Sequence, residues 1–118
     1  TGGQFSGQKI SGNVRPESAA DWVLIRPDLS IKLDVRLTLE TNDNAMIFMR
    51  YEGIRHSSPE IAHKLAKNDS VDPQLYYWRA SPFFETSSKQ YLWLNNIVAV
   101  ALGQKKESKV FYEVFEIL

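Results

Sequence analysis

The chain has 118 residues, 43% of them hydrophobic, so it is long enough to bury the core of one globular domain and too short to divide into two. Fourteen basic residues balance fourteen acidic ones and leave a net charge of +0, which argues against nucleic acid or an anionic membrane surface as a partner. There is no cysteine, and no apolar run approaches the roughly 20 residues that span a bilayer, so disulfides and thiolate chemistry are excluded and a cytoplasmic protein is expected.

The beginning of the chain predicts short, irregular strands. Two glycines punctuate residues 4–14, which is typical of bent strands or bulges. Residues 21–26 are rich in β-forming side chains and end at a proline turn. The chain opens at Thr1-Gly2-Gly3 with neither an initiator methionine nor a signal-peptide pattern. We therefore expect that an N-terminal strand of the same domain is missing, and that a homodimer covers the exposed edge.

One long hairpin over residues 31–50 dominates the pattern. Charged and apolar residues alternate in both arms, as expected for strands whose side chains point alternately to opposite faces. A polar turn over residues 41–44 joins the arms. The first arm has an apolar face and a polar face: Leu33, Val35, Leu37 and Leu39 on one, and Asp34, Arg36, Thr38 and Glu40 on the other. The second arm alternates in the same way: Ala45, Ile47, Met49 and Tyr51 against Met46, Phe48, Arg50 and Glu52.

A single helix is predicted after the hairpin. Ser57 can cap its start, Pro59 is tolerated in the first turn, and Glu60 completes a capping box with Ser57. Ile61 and Leu65 lie four residues apart and form a narrow apolar stripe. The helix is therefore expected to act as a plug or lid on the sheet.

The second half of the chain predicts further strands. Residues 75–79 and 83–86 form short aromatic strands, residues 91–102 form a buried central strand, and residues 109–118 pair with it as a second hairpin. About eight strands with short connections predict one all-β, antiparallel domain over residues 1–118. An eight-stranded closed or nearly closed barrel with one short helix is favoured, and a β-sandwich is the alternative.

Short segments follow one another in a specific order along nearly the whole chain. They are Thr1-Gly2-Gly3-Gln4-Phe5-Ser6-Gly7, Ala20-Asp21-Trp22, Leu33-Asp34-Val35-Arg36, Met49-Arg50, Gly53-Ile54-Arg55, Tyr76-Tyr77-Trp78-Arg79, Phe84-Glu85-Thr86, Trp93-Leu94-Asn95 and Tyr112-Glu113-Val114. This order resembles a bacterial and fungal family catalogued as domain of unknown function 3237. The resemblance implies a small β-barrel similar to lipocalin-like or allene-oxide-cyclase-like barrels, and it supplies no established catalytic residues. Family members usually continue upstream of the first segment.

Polar side chains on the predicted strands form the candidate site. If the polar face of the hairpin lines the lumen, it could orient a ligand carboxylate, phenol or enolate. Asp34, Glu85 and His56 are the predicted catalytic residues, because paired or buried carboxylates and a histidine can transfer protons. The predicted ligand-binding residues are polar and aromatic side chains of the same strands: Arg36, Arg50, Arg79, Asn95, Trp22, Tyr76, Trp78 and Trp93.

Two other interpretations of the polar face stay open. The charged residues could face water while the leucines fill the lumen. They could also form a buried ion-pair network with a purely structural role. Which face of the hairpin is lumenal therefore decides whether the predicted site exists.

No metal or cofactor is expected. His56 and His63 are the only histidines and supply at most half of a metal site, and the usual phosphate, dinucleotide and serine-nucleophile motifs are missing. The function predicted is a barrel that binds a compact apolar or aromatic metabolite. It could be a cofactor-independent cyclase, isomerase or dehydratase, and the alternative is a non-catalytic carrier or a structural or interaction protein.

Overall fold

The computed structural model describes residues 3–7 and 9–118, and in this part of the chain it contains eight β-strands, one α-helix and three short 3₁₀ helices. Thr1 and Gly2, which open the first family-like segment, lie outside the described residues. The strands are β1 (Gly3–Ser6), β2 (Ser11–Val14), β3 (Ala20–Ile25), β4 (Ile31–Thr41), β5 (Met46–His56), β6 (Tyr77–Glu85), β7 (Val98–Lys106) and β8 (Lys109–Ile117). The helix is α1 (Pro59–Ala66), and the 3₁₀ helices are Pro16–Ser18, Pro73–Leu75 and Lys89–Asn96.

All eight strands lie in one antiparallel sheet with the order β1-β2-β4-β5-β6-β7-β8. β3 and β2 share one edge of β4, where β3 pairs with residues 31–36 and β2 with residues 39–41. The Ser18 hydroxyl spans the break between them and accepts a hydrogen bond from the Thr38 amide at 2.9 Å. Within the described residues β1 and β8 end the order, so the sheet is a curled half-barrel. The predicted all-β, antiparallel, eight-stranded barrel architecture with one helix is confirmed.

The hairpin β4–β5 forms the centre of the sheet and turns its apolar face to the concave side. Val35, Leu39 and Ile47 are only 4%, 7% and 0% exposed there. On the convex side of the same hairpin, Met46 and Phe48 are 45% and 43% exposed. The period of two therefore separates a buried concave face from a convex face in water.

Two apolar clusters fill opposite ends of the concave side. Leu33, near the start of β4, packs against a cluster beside α1, and Leu39, near the end of β4, belongs to a cluster beside the 3₁₀ helix Lys89–Asn96. The first, which we call the α1 cluster, consists of Leu65, Val71, Tyr76 and Trp78. The second, the 3₁₀ cluster, consists of Leu39, Ile47, Tyr91 and Leu94.

Helix α1 differs from the prediction only at its start. Ser58 rather than Ser57 is the cap, because its hydroxyl accepts the Ile61 amide at 3.3 Å, so the predicted capping box of Ser57 and Glu60 is wrong. The apolar stripe is confirmed, since Leu65 is buried and Ile61 packs against the same cluster. No helix in the described part of the chain has the length and apolar composition that a membrane crossing needs.

The strand predicted over residues 91–102 is wrong in its first half and confirmed from Val98 onward, where β7 pairs with β8. The 3₁₀ helix Lys89–Asn96 occupies its first half, and β7 begins only at Val98. Tyr91 and Leu94 lie three residues apart, which is one turn of a 3₁₀ helix, and both are buried in the 3₁₀ cluster. An apolar run this short fits either structure, and the spacing of its inward side chains decided the outcome.

The two short strands predicted over residues 75–79 and 83–86 are one continuous strand, β6. Pro82 lies in its interior, where a proline would normally break a ladder. The pairing of β6 with β7 involves only Arg79 and Ala80, whereas the pairing with β5 continues past Pro82. Pro82 is tolerated because β6 is not paired with β7 at this position, so no hydrogen bond to β7 is lost there.

Candidate ligand-binding groove

The concave side of the sheet holds a groove between the α1 cluster and the 3₁₀ cluster. Its cavity measures ≈ 1910 Å³ and is lined by β1–β3 on one edge and β8 on the other, so it is the open side of the half-barrel. Small-molecule sites typically measure about 300–1000 Å³, so this groove could hold more than one compact ligand. Its walls are mostly apolar and aromatic: Leu33, Val35, Leu37, Met49, Phe84 and Trp93.

Three aromatic side chains, Tyr51, Trp78 and Tyr112, form an aromatic cluster in the groove. The Tyr51 and Tyr112 ring centroids lie 5.2 Å apart at 62°, and those of Trp78 and Tyr112 lie 5.7 Å apart at 85°. Both pairs are edge to face, the arrangement that aromatic quadrupoles favour. The Trp78 indole N–H also donates a hydrogen bond to the Tyr112 hydroxyl at 3.1 Å.

Strand register places the aromatic cluster. Tyr51 lies opposite Val35 on β4, and Tyr112 lies opposite Gly103 on β7. A Cβ atom at Gly103 would lie 2.7 Å from three atoms of the Trp78 ring. Because Gly103 has no side chain, the Trp78 indole can lie flat against β7 and reach Tyr112.

Both tyrosines of the groove are protonated at neutral pH, and their surroundings raise the pKa of each further above its ordinary value. Burial raises the pKa of Tyr51 above its ordinary value, and the neighbouring Tyr112 and the charge of Asp21 raise it further. Burial also raises the pKa of Tyr112, although the Tyr51 hydroxyl and the Trp78 indole act in the opposite direction. At neutral pH the two phenols are therefore hydrogen-bond donors, while Asp21, on β3, brings a carboxylate to the same groove.

Two basic residues lie near each other at the α1 end of the sheet, and of the two Arg55 lines the groove, whereas Lys105 does not. The Arg55 guanidinium stacks on Trp78, with its Cζ 5.3 Å from the ring centroid, and burial lowers its pKa. The Lys105 ammonium donates to the Leu65 carbonyl at 2.8 Å, and its pKa is lowered by burial and by the charge of Arg55. This end of the groove therefore carries a local excess of positive charge.

The polar residues predicted to line the lumen lie on the convex face. Strand register puts Asp34, Arg36, Arg50, Arg79 and Glu85 on the face opposite Tyr51, and none of them lines the groove. The prediction that these residues line the lumen is therefore wrong. The apolar face turns inward instead, because burying apolar side chains is favourable and burying unpaired charges is costly. A catalytic or binding role for these residues on the convex face stays a prediction.

Asp34 keeps one unusual feature on the convex face. It is half-buried, and its Oδ1 atom has no hydrogen-bond partner among the described residues. Across the sheet it lies between Trp22 and Glu52. No arginine compensates this oxygen in the way that the predicted ion pair required.

Three predicted site residues meet outside the groove. His56, Tyr76 and Arg79 border a shallow pocket of ≈ 430 Å³ beside the start of α1. The His56 ring lies 5.2 Å from the Tyr77 ring, on which Arg79 stacks at 5.0 Å. Tyr76 itself is buried, and its hydroxyl accepts the Lys105 amide at 3.1 Å, which gives it a structural contact.

The remaining predicted residues are divided between the groove and the surface. Trp78 and Trp93 line the groove. Trp22 is 71% exposed on β3, and the Asn95 side chain bonds both backbone groups of Thr86, at 2.9 and 3.0 Å. In the described ranges 3–7 and 9–118, no three histidine, cysteine, aspartate or glutamate side chains come together as a metal site would require.

The site residues predicted from the sequence do not include Asp21, Tyr51, Arg55 or Tyr112. A signal existed for Tyr51 and Arg55, since both continue the period-two series of the buried face of β5. Asp21 and Tyr112 enter from β3 and β8, which are distant in the chain. Their approach depends on the curl of the sheet, which strand patterns alone do not specify.

Known proteins are similar to this chain in sequence and in fold. The family model described as protein of unknown function (DUF3237) matches residues 1–117. The UPF0311 protein RPA1785 of Rhodopseudomonas palustris is 35% identical over 117 residues, which cover 99% of this chain and 76% of that protein. Its crystal structure, that of a conserved protein of unknown function, superposes with a TM-score of 0.93 over 99% of this chain and 78% of that one.

Two further solved structures extend the likeness. A β-barrel-like protein of Acinetobacter baumannii is 37% identical, with a TM-score of 0.82 over 98% of this chain and 73% of that one. A structure described as an enzyme from Penicillium herquei has a TM-score of 0.67 over 99% of this chain and 71% of that one, and at 21% identity it shares the fold alone. Because the family model spans nearly the whole chain, and close relatives match it from end to end, the protein belongs to the family of unknown function DUF3237.

Proposed function

We propose that the groove binds a compact metabolite with an apolar or aromatic body. The observation that carries this proposal is the aromatic cluster of Tyr51, Trp78 and Tyr112, whose rings meet edge to face inside an otherwise apolar concavity. Aromatic pairs contribute about 0.5–1.5 kcal/mol beyond the burial of their area, so a flat ligand ring would gain from this surface. The hydroxyls of the two tyrosines are the polar atoms that would orient it.

The ligand is expected beside the aromatic cluster rather than throughout the groove. The cavity of ≈ 1910 Å³ is larger than one compact molecule requires. Its region near Tyr51 and Tyr112 combines aromatic walls with hydrogen-bond donors. The region near Trp93 and Ile97 offers mainly apolar contact area, and its charged group, the Lys9 ammonium, lies over the Trp93 ring at 5.0 Å, away from the tyrosine hydroxyls.

The same arrangement supports acid–base chemistry without a cofactor, as in a cyclase, an isomerase or a dehydratase. Protonated phenols at Tyr51 and Tyr112 can donate hydrogen bonds to an oxygen on which negative charge develops. Asp21 supplies the carboxylate that could accept a proton from the ligand. The Penicillium herquei enzyme adds only that this fold is compatible with catalysis. A non-catalytic carrier, which would use the apolar walls alone, is the competing proposal.

Binding can be tested with N-phenyl-1-naphthylamine, a neutral dye whose fluorescence rises in apolar surroundings. Leu37→Trp fills the groove, whereas Arg36→Trp adds the same side chain to the convex face at the neighbouring position. We expect wild type and Arg36→Trp to bind the dye alike, and Leu37→Trp to bind it about tenfold more weakly, a loss of about 1.4 kcal/mol. Equal binding by the two variants, with urea midpoints that show both to be folded, would place the dye outside the groove and contradict the proposal.

A second experiment separates an enzyme from a carrier. The purified protein is extracted, any bound compound is identified by mass spectrometry, and the compound is then incubated with fresh protein. Conversion by wild type that is lost in Tyr112→Phe and Asp21→Asn supports an enzyme, whereas an unchanged compound supports a carrier. A groove that retains no compound and binds no dye would leave a structural role. The homodimer and the cytoplasmic location stay predictions.

A further inference from the structure

Arg55 carries a positive charge that no carboxylate balances through an ion pair within residues 3–7 and 9–118. None of the three ion pairs formed by the described residues includes it. The residue is nevertheless half-buried on the concave face of β5, where it lines the groove. Arginine is rarely removed from water unless it is paired, so this position suggests a partner that is supplied from outside the chain.

Within the part of the chain that the structure describes, the geometry leaves the guanidinium donors of Arg55 free for such a partner. One face of the guanidinium is covered by the Trp78 ring, with Cζ 5.3 Å from the ring centroid. The N–H groups radiate in the plane of the guanidinium and are not consumed by a stacking contact. Trp78 therefore fixes the orientation of Arg55 while its donor edge stays available to the groove.

Two neighbours reinforce the attraction for an anion. Lys105 adds a second positive charge close to Arg55, and its own ammonium is already bound to the Leu65 carbonyl at 2.8 Å, so it contributes field rather than a direct contact. The Tyr112 hydroxyl accepts the Trp78 N–H at 3.1 Å, so its own proton remains free to be donated. The guanidinium of Arg55 and the hydroxyl of Tyr112 thus offer hydrogen-bond donors to the same part of the groove, beside Trp78.

We propose that Arg55 and Tyr112, supported by the nearby charge of Lys105, form a subsite for the carboxylate of a ligand whose apolar or aromatic body lies against the rest of the groove. This inference rests on the proposed function, because it assigns one end of the ligand that the groove is proposed to bind. The ligand class is an aromatic or apolar carboxylic acid. Arg55 makes the charge-assisted contact, Tyr112 donates a second hydrogen bond, and Lys105 strengthens the local potential.

A singly charged carboxylate fits this subsite better than a doubly charged phosphate ester. Arg55 provides one fork, whose spacing matches the two oxygens of a carboxylate. The charge of Asp21, which acts on Tyr112 from the β3 side of the groove, opposes any anion there, and it opposes a doubly charged phosphate more strongly than a singly charged carboxylate. The apolar walls likewise favour a ligand with a single charge at one end.

The test is a pair of probes that differ only in charge. Isothermal titration calorimetry compares 2-naphthoate with 2-naphthamide, which has nearly the same shape and is neutral. Wild type should bind the carboxylate about tenfold or more tightly than the amide, the size expected for a charge-assisted hydrogen bond. Arg55→Gln should reduce this preference to about twofold or less, and Arg55→Lys, which keeps the charge, should retain part of it.

Arg79→Gln is the matched control, because Arg79 stacks on Tyr77 at 5.0 Å on the convex face in the same way that Arg55 stacks on Trp78 inside. It should leave the preference for the carboxylate unchanged. Equal affinity of wild type for both probes would overturn the carboxylate subsite while leaving the apolar groove intact. Loss of the preference in Arg79→Gln, or its survival in Arg55→Gln, would also overturn the assignment to Arg55.

Failure of the proposed function gives a different result. Neither naphthalene probe would then bind wild type, and neither would displace N-phenyl-1-naphthylamine, which would overturn the subsite together with the groove. The wild-type comparison requires no variant, so it remains decisive if Arg55→Gln does not fold.

Discussion

The two faces of the hairpin β4–β5 have the same strand geometry and opposite environments. On the concave face Val35 and Ile47 are buried, and Tyr51 reaches into the groove. On the convex face Arg36 and Arg50 lie opposite each other in register and are exposed. Charged residues in regular alternation thus mark the face in water here, and the functional candidates are aromatic and polar residues set among apolar ones.

The same difference between the concave and the convex face separates two arginines, Arg55 and Arg79. Each guanidinium stacks on an aromatic ring, at 5.3 and 5.0 Å, but Arg55 lies in the groove and Arg79 lies on the convex face. The two stacking distances are similar, whereas Arg55 is enclosed by the groove and Arg79 is exposed to water. Location relative to the curl of the sheet, rather than residue type, therefore decides which arginine is a ligand-binding candidate.

The largest expected effect is on stability and comes from the 3₁₀ cluster. Ile47→Ala removes a side chain that is 0% exposed, and such core truncations cost about 2–5 kcal/mol. Phe48→Ala, at the next position on the convex face, removes a larger side chain that is 43% exposed and should cost about 1 kcal/mol or less. Urea unfolding of the two variants measures the difference. Equal costs would contradict the assignment of the two faces.

The next effect concerns the support of the aromatic cluster. Gly103→Ala places a Cβ 2.7 Å from the Trp78 ring and should displace it, at a cost of about 1–3 kcal/mol, as overpacking does. Gly3→Ala meets its nearest atom at 3.7 Å and is the control, with an expected change within about 0.5 kcal/mol. Urea unfolding gives the cost, and near-ultraviolet circular dichroism reports the displaced indole. An unchanged aromatic spectrum in Gly103→Ala would show that the ring does not pack there.

A smaller effect is expected at the hydrogen bond inside the groove. Tyr112→Phe removes the acceptor of the Trp78 N–H, which should cost about 1 kcal/mol because groove water can replace part of the bond. Tyr77→Phe, on the convex side of β6, should cost less than about 0.5 kcal/mol. Urea melts of both variants provide the comparison. A larger loss in Tyr77→Phe would reverse the proposed ranking of the two faces.

The smallest effect is expected for Asp34 and Arg36 on the convex face, which the sequence predicts as a catalytic and a ligand-binding residue. Asp34 forms no ion pair with Arg36 among the described residues, so Asp34→Ala and Arg36→Ala should show a coupling below about 0.5 kcal/mol in a double-mutant cycle. Unfolding in low and in high salt measures it. A coupling of about 3 kcal/mol that resists salt would restore a buried polar centre.

Much of the fold follows from local chemistry. The alternation over β4 and β5, the polar turn with Asn44 at a φ of 69°, and the apolar stripe of α1 are all readable in the sequence. The strand predicted over residues 91–102 is wrong in its first half, because an apolar run of that length fits a strand as well as a 3₁₀ helix with Tyr91 and Leu94 on one side. Helix and strand alternatives of this kind are settled by tertiary packing.

The groove was less predictable than the fold. Alternation shows that two faces exist, and the direction of curl then decides which one encloses a cavity. Tyr51 and Tyr112 are brought within 5.2 Å by a sheet that places β5 and β8 on either side of β6 and β7. Such a contact depends on four strands at once, so no single segment carries its signature.

The indole N–H signals of the three tryptophans test the groove most directly. Trp78 lies in the aromatic cluster, Trp93 lines the groove farther from Arg55, and Trp22 is 71% exposed on β3. In a nuclear magnetic resonance titration with 2-naphthoate, with the signals assigned from single Trp→Phe variants, the Trp78 signal should shift most, the Trp93 signal less, and the Trp22 signal should stay in place. A titration in which Trp22 shifts most, or in which Trp78 does not respond while calorimetry detects binding, would contradict ligand binding in the groove.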